Sequence, residues 1–142
     1  MFSGTFKPKL DDKGRLFLPA KFRDEMGGGL VITRGQERSI DVRTKADFDQ
    51  FSVKLQNAPQ TDARLRHYTR MLFALASEQV PDKQGRITIT PELREYASVA
   101  RECVVIGVYN RLEIWEPQAW ADYTAAQESA FSDVEDEIFP GL

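Results

Sequence analysis

Two short stretches of this chain place a carboxylate and a guanidinium at the same spacing: Asp11 with Arg15, and Asp82 with Arg86. Across a glycine-containing turn, an aspartate four residues before an arginine can accept a hydrogen bond from the guanidinium or cap the backbone amides of the turn. Gly14 and Gly85 stand just before the arginines, where they permit a positive φ as the strand restarts. Taken singly, an Asp-x-x-x-Arg string describes no more than a salt bridge bracing a loop. Here it occurs twice in equivalent places, each arginine has a neighbouring cation (Lys13 or Lys83), and Lys7 and Lys9 stand beside the first copy. Two basic loops related by approximate two-fold symmetry suit two DNA half-sites. Arginine suits bidentate contact with guanine O6 and N7, and lysine suits phosphates. General acid or base chemistry is disfavoured, because the adjacent cations lower a carboxylate pKa away from neutrality.

The elements around these residues repeat as well. Asp11-Asp12-Lys13-Gly14-Arg15-Leu16-Phe17-Leu18-Pro19 aligns with Asp82-Lys83-Gln84-Gly85-Arg86-Ile87-Thr88-Ile89-Thr90-Pro91, with one extra residue before the second proline. Ile40-Asp41-Val42 parallels Leu112-Glu113-Ile114, and Phe48 and Phe51 fall where Trp120 and Tyr123 stand. Each unit reads as a strand entering the turn, then a short strand with Leu16 and Leu18, or Ile87 and Ile89, on one face. A short proline-initiated helix follows. Next come a hairpin (Leu30–Arg34 with Ser39–Arg43, or Cys103–Val108 with Arg111–Trp115) and a closing helix (Lys45–Gln56 or Pro117–Ala130). Gly35 and Asn110 are the hairpin turn signals. Between the units, Thr61 or Asp62 caps a helix predicted to run to about Ser77, with Arg64, Arg66, His67 and Arg70 on its polar side. The expected division is a first repeat over 1–56, a linker helix over 57–77, a second repeat over 78–130, and an acidic, disordered tail over 131–142.

Composition sets outer limits. With 42% hydrophobic and 29% charged residues in 142, the chain is an ordinary globular one. Its net charge of −3 means that any DNA-binding face is a local patch. Such a patch is available: Met1 to Lys45 carries 10 Lys/Arg against 6 Asp/Glu, whereas Glu128 to Leu142 carries 5 acidic residues and no basic one. The lone Cys103 lies in an apolar run and reads as a small buried hydrophobe. One cysteine and one histidine, His67, are too few soft ligands for a zinc site, so no metal and no cofactor is expected. Gly27-Gly28-Gly29 lacks the Lys-Ser/Thr of a phosphate loop and reads as a helix stop. Trp115, Trp120 and Tyr123 belong to core or subunit interface. No apolar stretch approaches a membrane span, and the N-terminal Met1-Phe2-Ser3-Gly4-Thr5 lacks the basic-then-apolar pattern of a signal peptide, so a cytoplasmic protein without a membrane partner or a small-molecule substrate is expected.

The opening Met1-Phe2-Ser3-Gly4-Thr5-Phe6, followed by Leu10 to Pro19 and the second Asp82-Lys83-Gln84-Gly85-Arg86, resembles the MraZ family, within the wider AbrB/SpoVT-like superfamily. The resemblance covers residues 1 to about 130. It implies an α+β fold: an internally duplicated swapped-hairpin (AbrB-like) β-barrel with flanking helices. It also implies a ring-shaped homo-oligomer, associated with the nucleoid, that binds short direct repeats in promoter DNA. The gene cluster it would repress is that of division and cell-wall synthesis, its own promoter included. Arg15 and Arg86 become the DNA-contacting arginines, with Lys13, Lys83, Lys9 and Lys7 as accessory cations and Asp11, Asp82, Gly14 and Gly85 orienting the loops. The acidic tail has no counterpart in the pattern. A different reading remains beside this one: an oligomeric scaffold whose Asp–Arg pairs only brace turns.

Overall fold

A computed structural model describes residues 1–133 and residue 138. The first half contains strand β1 (Thr5–Phe6), β2 (Arg15–Phe17), helix α1 (Ala20–Met26), the hairpin β3 (Leu30–Arg34) and β4 (Ile40–Thr44), and α2 (Lys45–Asn57). Helix α3 (Ala63–Ala74) leads into the second: β5 (Ser77–Gln79), β6 (Arg86–Thr88), α4 (Pro91–Ala97), β7 (Val104–Gly107), β8 (Leu112–Trp115) and α5 (Pro117–Asp133). The fold is α+β. Its strands form one antiparallel six-stranded sheet in the order β1-β7-β8-β4-β3-β5, and a separate two-stranded ribbon, β2-β6.

That order exchanges strands between halves. β1 pairs with β7, β5 pairs with β3, and β4 meets β8 at the sheet centre through Ile40–Ile114, Asp41–Glu113 and Val42–Leu112. Exchanging the halves maps the strand order onto itself, so each half completes the other's sheet. The alternating apolar residues explain why. Leu16, Leu18, Ile87 and Ile89 all point inward and are at most 1% exposed, and they share one core with Phe22, Leu93, Ile40 and Ile114. Neither half could bury its own face alone. A smaller cluster of Val31, Phe48 and Leu72 seats α2 and α3 against β3.

Several expectations are revised. The closed barrel does not form as a continuous ladder among the described residues: the sheet is open, with the ribbon beside it. Its edge strands span only two and three residues, too short to extend the pairing. One seam is bridged by a side chain instead, since Gln79 Nε2 donates to Thr88 O and Thr88 N donates to Gln79 Oε1, both at 2.8 Å. The extra residue before the second proline is no insertion. Pro19 is the N-cap of α1, whereas Thr90 is the N-cap of α4 and Pro91 its first residue, so both helices keep the offset that separates Asp11 from Asp82. Helix α3 ends at Ala74, not Ser77, because Ser77 is taken up by the ladder to Ile32. Helix α5 continues past Ala130 to Asp133, so the first residues of the predicted acidic tail are helical, and most of that tail lies outside the described residues. Gly35 has no positive φ. The left-handed residues of that turn are Glu37 and Arg38, and Gly35 is required because a Cβ there would meet Asp41 Oδ1 and Ser39 Oγ at 2.6 Å.

The sheet centre carries a cost. Asp41 faces Glu113 across the ladder and is 9% exposed, and its Oδ1 has no hydrogen-bond partner among the described residues. Burial pushes its carboxyl up to about 6, with Glu113 and Glu37 adding to the shift and Arg111 and Arg43 opposing it. Protonated Asp41 is therefore favoured in the folded state. Its contribution to stability is complete below pH 4 and is lost as pH rises through about 6, to the extent of about 3 kcal/mol. The difference in melting temperature between Asp41→Asn and wild type is expected to grow in favour of the variant from pH 4.5 to pH 7; parallel profiles would contradict this account. In the core, Ile87→Ala is expected to cost about 2–5 kcal/mol in urea unfolding.

Candidate nucleic-acid interface

Both Asp-x-x-x-Arg loops are built to one plan. Asp11 Oδ1 accepts hydrogen bonds from the backbone amides of Lys13 and Arg15, both 2.9 Å, while Oδ2 accepts from Arg15 Nε at 2.7 Å. Asp82 Oδ1 accepts from Gln84 N at 2.9 Å and Arg86 N at 2.8 Å, and its Oδ2 accepts from Arg86 Nε at 2.8 Å. One carboxylate thus shapes the turn with one oxygen and orients the arginine with the other; the two roles open to it in the sequence are filled together. These bonds hold Asp11 at about 2, chiefly through the Arg15 amide, and lower Asp82 in the same way through the Arg86 amide. Both aspartates are ionised near neutrality, which suits orienting and not proton transfer.

The glycines have two reasons to be there. Gly14 and Gly85 each adopt φ +77°, and each lies under the opposite half. A Cβ on Gly14 would stand 2.8 Å from Ile89 O and 3.0 Å from the Arg94 guanidinium, and one on Gly85 would stand 2.5 Å from Arg23 Nε. Gly14 O accepts from Ile89 N at 2.8 Å, and Gly85 O accepts from Leu18 N at 2.9 Å. The loops are thereby locked together across the ribbon, whose pairs are Arg15–Thr88, Leu16–Ile87 and Phe17–Arg86. Since alternate residues share a face, the inward Leu16 and Ile87 leave Arg15, Phe17, Arg86 and Thr88 on the outer face.

The arginines are gripped at Nε only. Among the described residues no hydrogen bond engages the terminal nitrogens of Arg15 or Arg86, and the nearest carboxylate across the ribbon is Asp11 Oδ2, 3.9 Å from Arg86 Nη1. Each guanidinium therefore presents terminal donors that carry no hydrogen bond among the described residues, with Arg86 Nη1 in a long ion pair to Asp11.

The structure does not place every sequence-derived cation alike. Lys13 and Lys83 are exposed in the loops, but at non-equivalent positions: Lys13 matches Gln84 in hydrogen bonding, and Lys83 matches Asp12. Lys7 and Lys9 line a cleft of about 400 Å³ with Trp120, Pro117 and Cys103, between the β1–β7 edge and the start of α5. Cys103 itself is buried, and burial pushes its thiol up to about 11. The Trp115, Trp120 and Tyr123 rings pack together with centroids 5.0–6.0 Å apart. Among the described residues no cluster of three or more His, Cys, Asp or Glu could hold a metal, and no helix is long and apolar enough to cross a membrane.

Two site residues escaped the sequence reading. Arg23 of α1 donates from Nε to Leu18 O at 2.9 Å, and Arg94 of α4 donates from Nε to Ile89 O at 3.1 Å, each lying against the other half's loop glycine. Their signal was the offset that also relates Arg15 to Arg86.

Comparison with known proteins places these features in a family. The family model described as "MraZ protein, putative antitoxin-like" matches the chain twice, over residues 1–71 and 72–140. Proteins named "Transcriptional regulator MraZ" are similar over all 142 residues: the one from Thermobifida fusca is 52% identical, with 99% of its length covered. Those from Parafrankia sp. and Salinispora tropica are 54% and 52% identical, with 99% and 100% of their lengths covered.

Because each glycine carries both a left-handed φ and a crowded Cβ position, Gly14→Ala or Gly85→Ala is expected to destabilise the fold by about 1–3 kcal/mol. Thermal denaturation measures this, and an unchanged midpoint would show that the loops are looser than their bonding indicates.

Proposed function

The chain belongs to the MraZ family, and from that premise we propose that it is a sequence-specific DNA-binding transcriptional regulator that reads promoter DNA with its two Asp-x-x-x-Arg loops. It is not an enzyme. The observation that carries the reading is the pair of guanidinium groups held at Nε on the outer face of the ribbon, with no hydrogen bond to their terminal nitrogens among the described residues. A two-stranded ribbon fits the major groove, where a free guanidinium can donate both bonds to guanine O6 and N7. The exposed Lys13 and Lys83 are suited to phosphates, and Arg23 and Arg94 stand close enough to the loops to join them.

The finer picture follows the family resemblance. The protein acts as a repressor of the division and cell-wall gene cluster, including its own promoter, in the cytoplasm and on the nucleoid. We read the sheet and ribbon as the superfamily's swapped-hairpin barrel, with side chains such as Gln79 closing its seams, and with repeats over 1–56 and 78–130 joined by the segment 57–77. One protomer offers only two such loops on a chain of net charge −3, so binding relies on a ring-shaped homo-oligomer engaging short direct repeats together. Coupling sites in this way raises avidity by ~10² to 10⁴.

The scaffold reading has one observation in its favour: the Asp–Arg pairs do brace their turns. The same experiment separates the two. Arg15→Ala and Arg86→Ala are each expected to weaken binding to the upstream promoter by about 5- to 150-fold, the loss of one bidentate contact. Binding to the promoter, and not to scrambled DNA, is expected to exceed a basal level that falls steeply with salt, because phosphate contacts release counterions. If the double variant binds the promoter as wild type does in an anisotropy titration at equal salt, the DNA-reading role is wrong.

A further inference from the structure

The outer face of the ribbon is not symmetric. Where the second half has Thr88, the first has Phe17, and Phe17 is 55% exposed, an unusual place for a large aromatic ring amid cations. Phe17 lies directly opposite Arg86 in the ladder, and the Arg86 guanidinium carbon stands 5.8 Å from its ring centroid. Its sequence neighbours Leu16 and Leu18 are each 1% exposed, so Phe17 is the outward member of this alternation. The ring therefore shares the surface with two guanidinium groups whose terminal nitrogens carry no hydrogen bond among the described residues, and a base pair engaged by Arg86 would bring the next base edge against Phe17.

Resting on the DNA-reading role of this face, we propose that Phe17 is a specificity-determining residue that recognises a thymine through its 5-methyl group, beside the base addressed by Arg86. In the major groove the thymine methyl is the one apolar group on a base-pair edge, and an aromatic side chain is a suitable partner for it. Strands in a ladder lie about 4.8 Å apart, so the ring and the guanidinium across from it can reach adjacent base pairs in one groove. Thr88, smaller and able to hydrogen-bond, reads the equivalent place in the other half differently. The site recognised by one protomer is thus a two-fold site with unequal halves, more stringent for thymine on the Phe17 side.

The test uses the full chain and duplexes of the promoter region upstream of its own gene, in which thymines are replaced one at a time by deoxyuridine, which lacks only the methyl group. Wild type is expected to lose about fourfold in affinity at one thymine in each repeat, the effect of leaving one methyl unburied. Phe17→Ser is expected to bind more weakly and to be indifferent to that replacement, and Phe17→Leu to keep the sensitivity. Because the ring is exposed, both variants are expected to melt as wild type does. If wild type and Phe17→Ser respond alike to every replacement while both still prefer promoter DNA, the methyl contact is wrong and the DNA-reading role stands. A change in oligomer mass in Phe17→Ser without a change in methyl sensitivity would overturn it in favour of a protein contact. Absence of any promoter preference in wild type overturns both.

Discussion

Three cross-strand pairs tie the two halves of the chain at the ribbon: Arg15 to Thr88, Leu16 to Ile87, and Phe17 to Arg86. The inward pair, Leu16 and Ile87, is almost wholly buried, and it forces the flanking residues outward because side chains alternate along a strand. Everything proposed for the surface depends on that alternation. A slip of one residue would bury both arginines and expose both aliphatic side chains, so the apolar requirement of the core sets the register that displays the cations.

The halves are interlocked and not merely adjacent. Each Asp-x-x-x-Arg loop rests on the backbone and an arginine of the other half, through Gly14 to Ile89 and Arg94, and through Gly85 to Leu18 and Arg23. The two guanidinium groups are consequently held in a fixed mutual relation by the core and not by the flexibility of either loop. Preorganisation of this kind matters for a reader of base edges, since a side chain already aimed loses less freedom on binding. The carboxylates contribute by dividing their oxygens between turn and arginine, which occupies Nε and leaves the outer nitrogens without a hydrogen bond among the described residues.

The sheet centre and the ribbon show opposite uses of charge. At Asp41 a carboxylate is buried near two arginines, yet with one oxygen unbonded among the described residues, and burial shifts its ionisation toward neutrality. At Asp11 and Asp82 the carboxylates stay solvated and fully bonded, and their ionisation moves the other way. Hydrogen bonds to the charged form dominate at the loops, and desolvation dominates in the sheet.

Much of this was legible in the sequence. The doubled Asp, Gly and Arg, the alternating apolar residues after them, the two hairpins and the closing helices all follow from local spacing, and spacing is a property of the chain alone. What the sequence could not decide was which strand pairs with which, because pairing across halves is set by the burial of both apolar faces at once. Hence the exchanged strand order, the side-chain seam at Gln79, the contact of Arg23 and Arg94 with the opposite loops, and the exposure of Phe17 came only from the tertiary structure. The sequence determined the parts of the candidate interface. The shared core determined their arrangement, by holding two loops that are far apart in the chain on one face.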